Sequence, residues 1–372
     1  MSADELYVGL ISGTSADGID AALVSLRQDR PELIAHHLHP IPAATRKLLV
    51  SLFTPDRNQI DLMGELDIEL GRLFAAAANT LLQQAGVPAS AVQAIGSHGQ
   101  TIRHRPDNTA PFTLQIGDPH TISQLTGLPV VADFRRRDMA CGGQGAPLAP
   151  LFHQHCLTDS RENRVILNLG GIANITLLPA RGSGGRPLAM DTGPASGLMD
   201  AWCQAHRNQP YDQAGAWAAQ GQVIAPLLES WLQDPYFSHP APKSTGKEYF
   251  HLEWAQQKAG MPLGDFEPVD VQATLLALTA TTIMDAVNGL PVRANGVLVC
   301  GGGVHNQALM DQLRALCPCP LDTTSPVGVD PDWVEAMCFA WLAKCHIDGT
   351  KLDTGPFTGA HSEVLLGALY PA

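Results

Sequence analysis

The chain has 372 residues, more than one hydrophobic core usually serves, so two domains with a ligand cleft between them are the expected organisation. Apolar residues at 45% and a mean hydropathy of +0.01 argue for a folded globular protein and against disorder or a membrane span. A net charge of −13 argues against nonspecific binding to nucleic acid or anionic lipid, and the acidic start MSADELYVGL lacks the features of a secretory signal, so a cytoplasmic protein is expected.

From the N-terminus, residues 7–20 read YVGLISGTSADGID, a hydrophobic strand running into a turn of Gly, Ser, Thr and Asp. One reading is a plain β-hairpin, because ADG is a strong turn signal and residues 21–26 resume a strand pattern. The other is a phosphate turn. Gly9 and Gly13 let backbone approach a ligand, Ser12, Thr14 and Ser15 offer hydroxyls beside N–H groups, and Asp17 and Asp20 can position hydrated Mg²⁺. The two are compatible, since a hairpin tip can embrace phosphate.

Residues 32–39 add a strand. A long helix is predicted over 60–85, where Ile60, Leu62, Leu66, Ile68, Leu70, Leu73, Phe74 and Ala77 keep largely to one side. Residues 92–97 form a short buried strand with His98 at its end, and 113–117 and 127–133 form two more. Arg135, Arg136 and Arg137 are the one basic cluster, which by itself reads as a solvated or ion-paired surface. His153 and His155 make an HxH, but residues 149–157 read equally well as an ordinary helix. The eight cysteines include no CxxC pair and read as inert thiols rather than disulfides or zinc ligands.

The second half repeats the opening layout: RVILNLGGIANITLL, residues 164–178, runs strand, Gly-rich turn, strand. Asp191, in AMDTGP, stands at a strand end before a helix that begins near Ser196; it reads evenly as a helix cap or Asx-turn and as a catalytic base. Residues 205–270 look like helices with irregular connections, and their apolar, Trp-containing character is the feature expected to support a homodimer. A strong helix spans 271–287. GVLVCGGGVHN, residues 296–306, ends a buried strand in three glycines before a helix, so a flat or charged ligand can lie against backbone. A last helix is predicted over 332–345 with Pro331 at its start, placing Glu335 in the first turn where negative charge is favoured. Neither GxGxxG nor GxxxxGK[ST] occurs; KSTGKE at 243–248 lacks the spacing.

Two hairpin-borne phosphate turns followed by a Gly-rich turn are the organisation of the actin, sugar kinase and Hsp70 superfamily. GLISGTSADGID, GSHGQTIRHRP, LQIGDPHTIS, VVADFRRRDMACGGQGAPLAP, NLGGIANIT, DTGPASGLMDAW, KSTGKEYF and VCGGGVHN together resemble the 1,6-anhydro-N-acetylmuramic acid kinase family over nearly the whole chain. The resemblance implies an α/β, two-domain actin-like ATPase (ribonuclease H-like) fold with an interdomain cleft, residues 1–125 plus 350–372 forming one domain and 126–349 the other. It also implies an enzyme that uses ATP and Mg²⁺ to hydrolyse the 1,6-anhydro ring and phosphorylate O6. The products are N-acetylmuramic acid 6-phosphate and ADP, in peptidoglycan recycling.

Residue by residue, the resemblance implies that Gly13, Thr14, Ser15, Ala16, Asp17, Gly18, Ile19 and Asp20 hold the β- and γ-phosphates, with Asp17 and Asp20 meeting Mg²⁺ through water. Asn168, Gly170 and Gly171 hold the phosphates from the opposite lobe. Gly301, Gly302 and Gly303 flank the adenosine, with Asn306 as a polar contact. Asp191 falls on the family's catalytic aspartate and would take a proton from the water attacking C1, although a carboxylate at ordinary pKa is a mediocre base. Glu335 and Arg137 are the expected sugar contacts, the choice among the three arginines being open; His98, with Gln100, approaches the substrate at the sugar or the phosphate, or else is a satisfied structural histidine at a strand end. Lys243 either meets the nucleotide or closes the domain. Ala16 departs from the pattern, which suggests a larger apolar residue there. Two competing readings are an Hsp70-like clamp, disfavoured because no partner-binding domain is appended, and an ordinary hexose kinase. Against the latter stand only RRRDMACGGQGAPLAP and DTGPASGLMDAW.

Overall fold

A computed structural model describes residues 5–13, 16–27, 31–54, 56, 59–246 and 248–372. In chain order the strands are β1 (Leu6–Ser12), β2 (Gly18–Ser25), β3 (Glu32–Pro40), β4 (Val92–Arg105), β5 (Phe112–Ile116), β6 (Val130–Ala132), β7 (Arg164–Leu169), β8 (Ile172–Leu178), β9 (Leu188–Pro194), β10 (Gly296–Cys300), β11 (Leu321–Thr323) and β12 (Ala368–Tyr370). The chain forms two compact units, residues 1–156 with 333–372, and residues 157–332. The expected boundaries near 125 and 349 are therefore displaced. β6 pairs with β4 and β12, and the helix Val334–Ile347 packs on β1 and β4, which assigns both elements to the first unit.

Each unit is built on the same sheet. In the first, β1, β2 and β3 form an antiparallel meander while β1, β4 and β6 run parallel. In the second, β7, β8 and β9 meander while β7, β10 and β11 run parallel. The spatial orders β3-β2-β1-β4-β6 and β9-β8-β7-β10-β11 are the same arrangement twice, with β5 pairing on β4 and β12 extending the first sheet beyond β6. This doubled mixed sheet is the ribonuclease H-like α/β fold of the actin-like ATPases.

Several local predictions hold, and the departures have physical causes. The helix Ile60–Ala85 has the predicted bounds; it buries Leu66, Leu70, Phe74 and Ala77 and stops at Gly86 with φ +66°, while Ile60 and Ile68 of the predicted stripe are exposed. The strand expected at 92–97 runs on to Arg105. Gly99, at φ +74°, absorbs a register shift against β1, and the polar residues beyond it pair with β5. The final helix begins at Val334, later than expected, after a segment in which Pro331 O accepts from Gly301 N at 2.8 Å.

Gly9 serves packing, contrary to the expectation that it approaches a ligand. A Cβ on Gly9 would lie 1.8 Å from Ala336 O, and one on Gly96 1.9 Å from Phe339 O, so the backbone of the helix Val334–Ile347 rests on β1 and β4. His153 is buried, its imidazole pushed down to about 3 by burial, and His155 stacks on Trp341.

In the second unit the helix Pro268–Asn288 buries Val271, Leu275, Leu278 and Ile283 in a core shared with Trp202, Trp231 and Trp254. Trp217 packs against the same core, so the tryptophans expected to support a dimer serve the interior instead. Buried Asp234 organises this region by accepting from Tyr236 N, Tyr249 OH, Trp254 Nε1 and Lys258 Nζ at 2.8–3.0 Å. Burial alone would raise its pKa, but these donors together hold it below the ordinary carboxylate range. Among the described residues no helix is long and apolar enough to cross a membrane.

Candidate active site

The β1–β2 turn is both the hairpin and the open tip that the residues suggested. Ser12 Oγ donates to Gly18 O at 2.9 Å and Ala16 N to Gly13 O at 3.1 Å, which closes the turn on itself. Thr14 and Ser15 lie outside the described residues. A Cβ on Gly13 would meet no atom within 4 Å, so this position is open to an approaching ligand. Gly18 is packed instead, since its Cβ would lie 2.7 Å from Leu38 Cδ1. Ile19 points into the core, leaving only its main chain for a ligand.

Ala16 explains itself. It is fully buried at φ +51°, a left-handed conformation in which each added side-chain branch costs strain, so a larger apolar residue has neither room nor a favourable backbone. Asp17 is exposed at the turn and its carbonyl accepts from Ile41 N, while half-buried Asp20 lies in β2 opposite Ile11. Two carboxylates on the hairpin that carries Gly13 are residue types that suit Mg²⁺, which takes one or two carboxylates and fills its remaining positions with water and phosphate oxygens.

The first unit also gathers a polar cluster around buried His98. Arg135 Nε donates to His98 Nε2 at 2.9 Å, so that nitrogen carries no proton and Nδ1 donates to Gly99 O at 2.9 Å. Both ring nitrogens are engaged, and burial, reinforced by Arg135, keeps the imidazole neutral far below its ordinary range. Arg135 also donates to Gly145 O at 3.2 Å and shares a field with Glu335, whose carboxyl is raised by burial and lowered by that guanidinium. Glu335 itself is exposed to solvent. The inward arginine is thus Arg135. Arg136 pairs with Asp133 at 2.7 Å, and Arg137, the one singled out from the sequence, is exposed.

The glycine-rich loop after these arginines is pinned by buried Asp138, whose two carboxylate oxygens accept from Gly145 N at 2.7 Å and Thr358 Oγ1 at 2.8 Å.

In the second unit, Asp191 lies within β9 beside a register shift against β8. The following helix, Ser196–Arg207, has Ala195 at its cap and no side-chain cap bond, which removes the reading of Asp191 as a helix cap. Its carboxylate Oδ2 accepts from Thr245 N at 2.9 Å, its N–H donates to Lys243 O at 3.0 Å, and its carbonyl accepts from Tyr236 OH at 2.9 Å. Burial raises its pKa to about 6, Glu248 adding to the rise and the Thr245 N–H opposing it. The expectation of an ordinary, mediocre base is therefore corrected: this carboxylate is tuned toward neutral pH.

The other glycine turns divide between scaffold and open surface. Gly170 O accepts from Ser196 N and Ser196 Oγ, and Gly171 O from Ala195 N and Gly197 N, all at 3.0–3.1 Å, docking the turn on the start of the helix Ser196–Arg207. Gly301, at φ +83°, would place a Cβ 2.3 Å from Asn168 Oδ1, and Gly303 one 2.4 Å from Leu169 Cβ. Asn168 and Leu169 thus require both glycines, and only Gly302 faces open space. Asn306, expected as a ligand contact, caps the helix Gln307–Leu316 by accepting from Leu309 N at 3.0 Å.

Lys243 is also resolved. Its Nζ donates to Tyr236 O at 3.1 Å and Phe237 O at 2.9 Å and lies 4.7 Å from the Tyr236 ring centre. Thr245 and Tyr236, which bond to Asp191, and Glu248, which raises its pKa, were not singled out from the sequence. The motif KSTGKEYF flagged their neighbourhood, but its attachment to Asp191 spans up to 54 residues of chain.

The sequence profile of the anhydro-N-acetylmuramic acid kinase family matches residues 5–372. An anhydro-N-acetylmuramic acid kinase of Coxiella burnetii is 51% identical over 367 residues, covering 98% of this chain and 97% of that protein. Proteins of the same name from Shewanella pealeana and Saccharophagus degradans are 49% and 48% identical over 98% of each chain.

Proposed function

The chain belongs to the anhydro-N-acetylmuramic acid kinase family, and from that premise we propose that Asp191 is the base of its ring-opening phosphoryl transfer. The enzyme is an ATP-dependent sugar kinase that phosphorylates 1,6-anhydro-N-acetylmuramic acid in peptidoglycan recycling. Asp191 accepts a proton from the water that attacks C1. The bond between C1 and the bridging oxygen breaks, and the freed O6 takes the γ-phosphoryl group as ADP departs. The observation that carries this role is a half-buried carboxylate, oriented by the Thr245 N–H and raised to about 6. A base with a pKa close to the working pH is ionised there and still binds a proton well in the transition state.

Gly13, the main chain through Asp20, and the Asn168–Gly171 turn are proposed to hold the triphosphate, with Gly302 as the open face for the nucleoside. Asp17 and Asp20 would hold Mg²⁺ through water, and the ion would neutralise charge on the phosphates. Arg135 and Glu335 are proposed as the sugar contacts, with His98 orienting Arg135. The cytoplasm is the proposed compartment, in keeping with the net charge and with eight cysteines that form no disulfide.

Incubation with ATP, Mg²⁺ and the anhydrosugar in ¹⁸O-enriched water tests the reading. Label at C1 of a 6-phosphate product is expected, and an unlabelled sugar phosphate would remove the hydrolytic step.

A further inference from the structure

Every hydrogen bond described for Asp191 from outside the sheet comes from one excursion of chain, residues 236–245. Tyr236 OH reaches its carbonyl, Lys243 O receives its N–H, and Thr245 N meets its carboxylate. Besides Asp191 itself, the Lys243 ammonium joins the two ends of that excursion: it donates to Tyr236 O and Phe237 O and stands over the Tyr236 ring. Those carbonyls belong to the short helix Pro235–Ser238, whose C-terminal end favours a cation. Phe237, one of the two acceptors, is also the ring against which Gly193 of the DTGP turn packs; a Cβ there would lie 2.8 Å from Phe237 Cε1.

We infer that Lys243 is a positioning residue for catalysis: its ammonium locks the 236–245 excursion and so holds the Asp191 carboxylate in its reactive orientation. The inference rests on the reading of Asp191 as the base. Among the described residues no carboxylate pairs with this ammonium, and its donors go to main-chain carbonyls, so its charge is used to hold backbone. Half-burial lowers the pKa of Lys243 below the ordinary lysine range, in keeping with a group held against protein rather than released to water.

Lys243 also lines a concavity of about 620 Å³ with Tyr249, Glu248 and Pro242, which raises a competing role, gripping the carboxylate of the substrate's lactyl group. The two roles separate kinetically. Loss of a positioning residue lowers kcat and leaves binding intact, whereas loss of a substrate grip raises the KM for the sugar.

The test uses the full-length enzyme with Lys243→Met, Lys243→Arg, Asp191→Asn and the Lys243→Met/Asp191→Asn double variant, with unfolding midpoints taken for each. Lys243→Met should lower kcat about 10- to 100-fold, the scale of a small misplacement of a reacting group, with both KM values within about twofold. Lys243→Arg, which keeps charge and donors, should fold normally and fall between the two in kcat with unchanged KM values. In the Asp191→Asn background, Lys243→Met should cost nothing further, since it acts through that carboxylate. An unchanged kcat, a raised KM for the anhydrosugar in either variant, or multiplicative losses in the double variant would overturn the inference. An active Asp191→Asn enzyme would instead remove the base reading on which it rests. Should the Met variant not fold, the KM and kcat of the Arg variant decide alone.

Discussion

Thr245 donates its main-chain N–H to the carboxylate of Asp191 at 2.9 Å, across 54 residues of sequence. The bond ties the KSTG motif to the DTGP motif and fixes the direction of one carboxylate oxygen. It also limits how far burial can raise the acid, because a donor to the ionised form favours ionisation. Burial and Glu248 push up, Thr245 pulls down, and the balance at about 6 leaves a carboxylate that is ionised at neutral pH yet more basic than an exposed one.

Replacing this acid by its amide isolates the proton-transfer role. Asp191→Asn keeps the shape and an oxygen able to accept from Thr245 N, but the amide cannot take a proton from water. Turnover should fall by about 10²- to 10⁴-fold, with ATP affinity unchanged, as measured by steady-state kinetics and nucleotide titration. A variant within a few fold of wild type would return Asp191 to a structural role.

The same acid predicts a pH dependence in two observables. For catalysis Asp191 must be ionised, so kcat/KM should climb about tenfold per pH unit below its pKa and level off above it, with the midpoint near 6. For stability the sign is opposite. The folded-state pKa is raised from 3.8, so the native state binds this proton more tightly than the unfolded chain; the contribution is full below 3.8 and lost as pH rises through about 6. Ionised Asp191 therefore destabilises the fold at pH 8, by about 1–3 kcal/mol. Asp191→Asn escapes that cost, so it should unfold at a higher temperature than wild type at pH 8 and lose the advantage at pH 4. An equal difference at both pH values would sink the linkage.

What was legible in the sequence was local. A hairpin and its turn are set by neighbouring residues, so β1–β2 and β7–β8 could be read directly, as could the long helix from its stripe and terminal glycine. Asp191 was legible as a candidate because its motif resembles that of a known family. Its tuning was not, since it depends on Glu248 and on a loop brought in from far along the chain. The glycines show the same limit: Gly13 and Gly302 face open space while Gly9, Gly301 and Gly303 accommodate distant backbone or side chains, and a glycine in a sequence does not say which. Arg135, Arg136 and Arg137 differ only by helical phase, which three residues on a short helix do not reveal.

Two glycines of the first hairpin make that distinction measurable. Gly9→Ala would place a Cβ 1.8 Å from Ala336 O, an overlap with helix backbone that no rotamer relieves, whereas Gly13→Ala would meet no atom within 4 Å. Gly9→Ala should therefore cost about 3 kcal/mol or more in urea unfolding, or prevent folding, while Gly13→Ala should stay within about 0.5 kcal/mol of wild type. If the turn holds the triphosphate as proposed, Gly13→Ala should raise the KM for ATP on an otherwise normal fold. Equal stability losses would mean that the helix Val334–Ile347 does not rest on β1.

The three consecutive arginines separate in the same manner. Arg135→Met would leave the His98 Nε2 lone pair buried without its donor and Glu335 without its counter-charge, both within the proposed sugar-contacting cluster. The lost charge-assisted hydrogen bond is expected to lower kcat/KM for the anhydrosugar by at least about 10-fold. Arg137→Met, at an exposed position, should change kcat/KM by no more than about twofold. Arg136→Met removes a surface pair with Asp133 and should behave like Arg137→Met, because exposed ion pairs contribute little. Parallel kinetics on the three variants decide the matter: a loss at Arg137 equal to that at Arg135 would move the sugar contact to the surface arginine and leave the Arg135–His98 pair as scaffold.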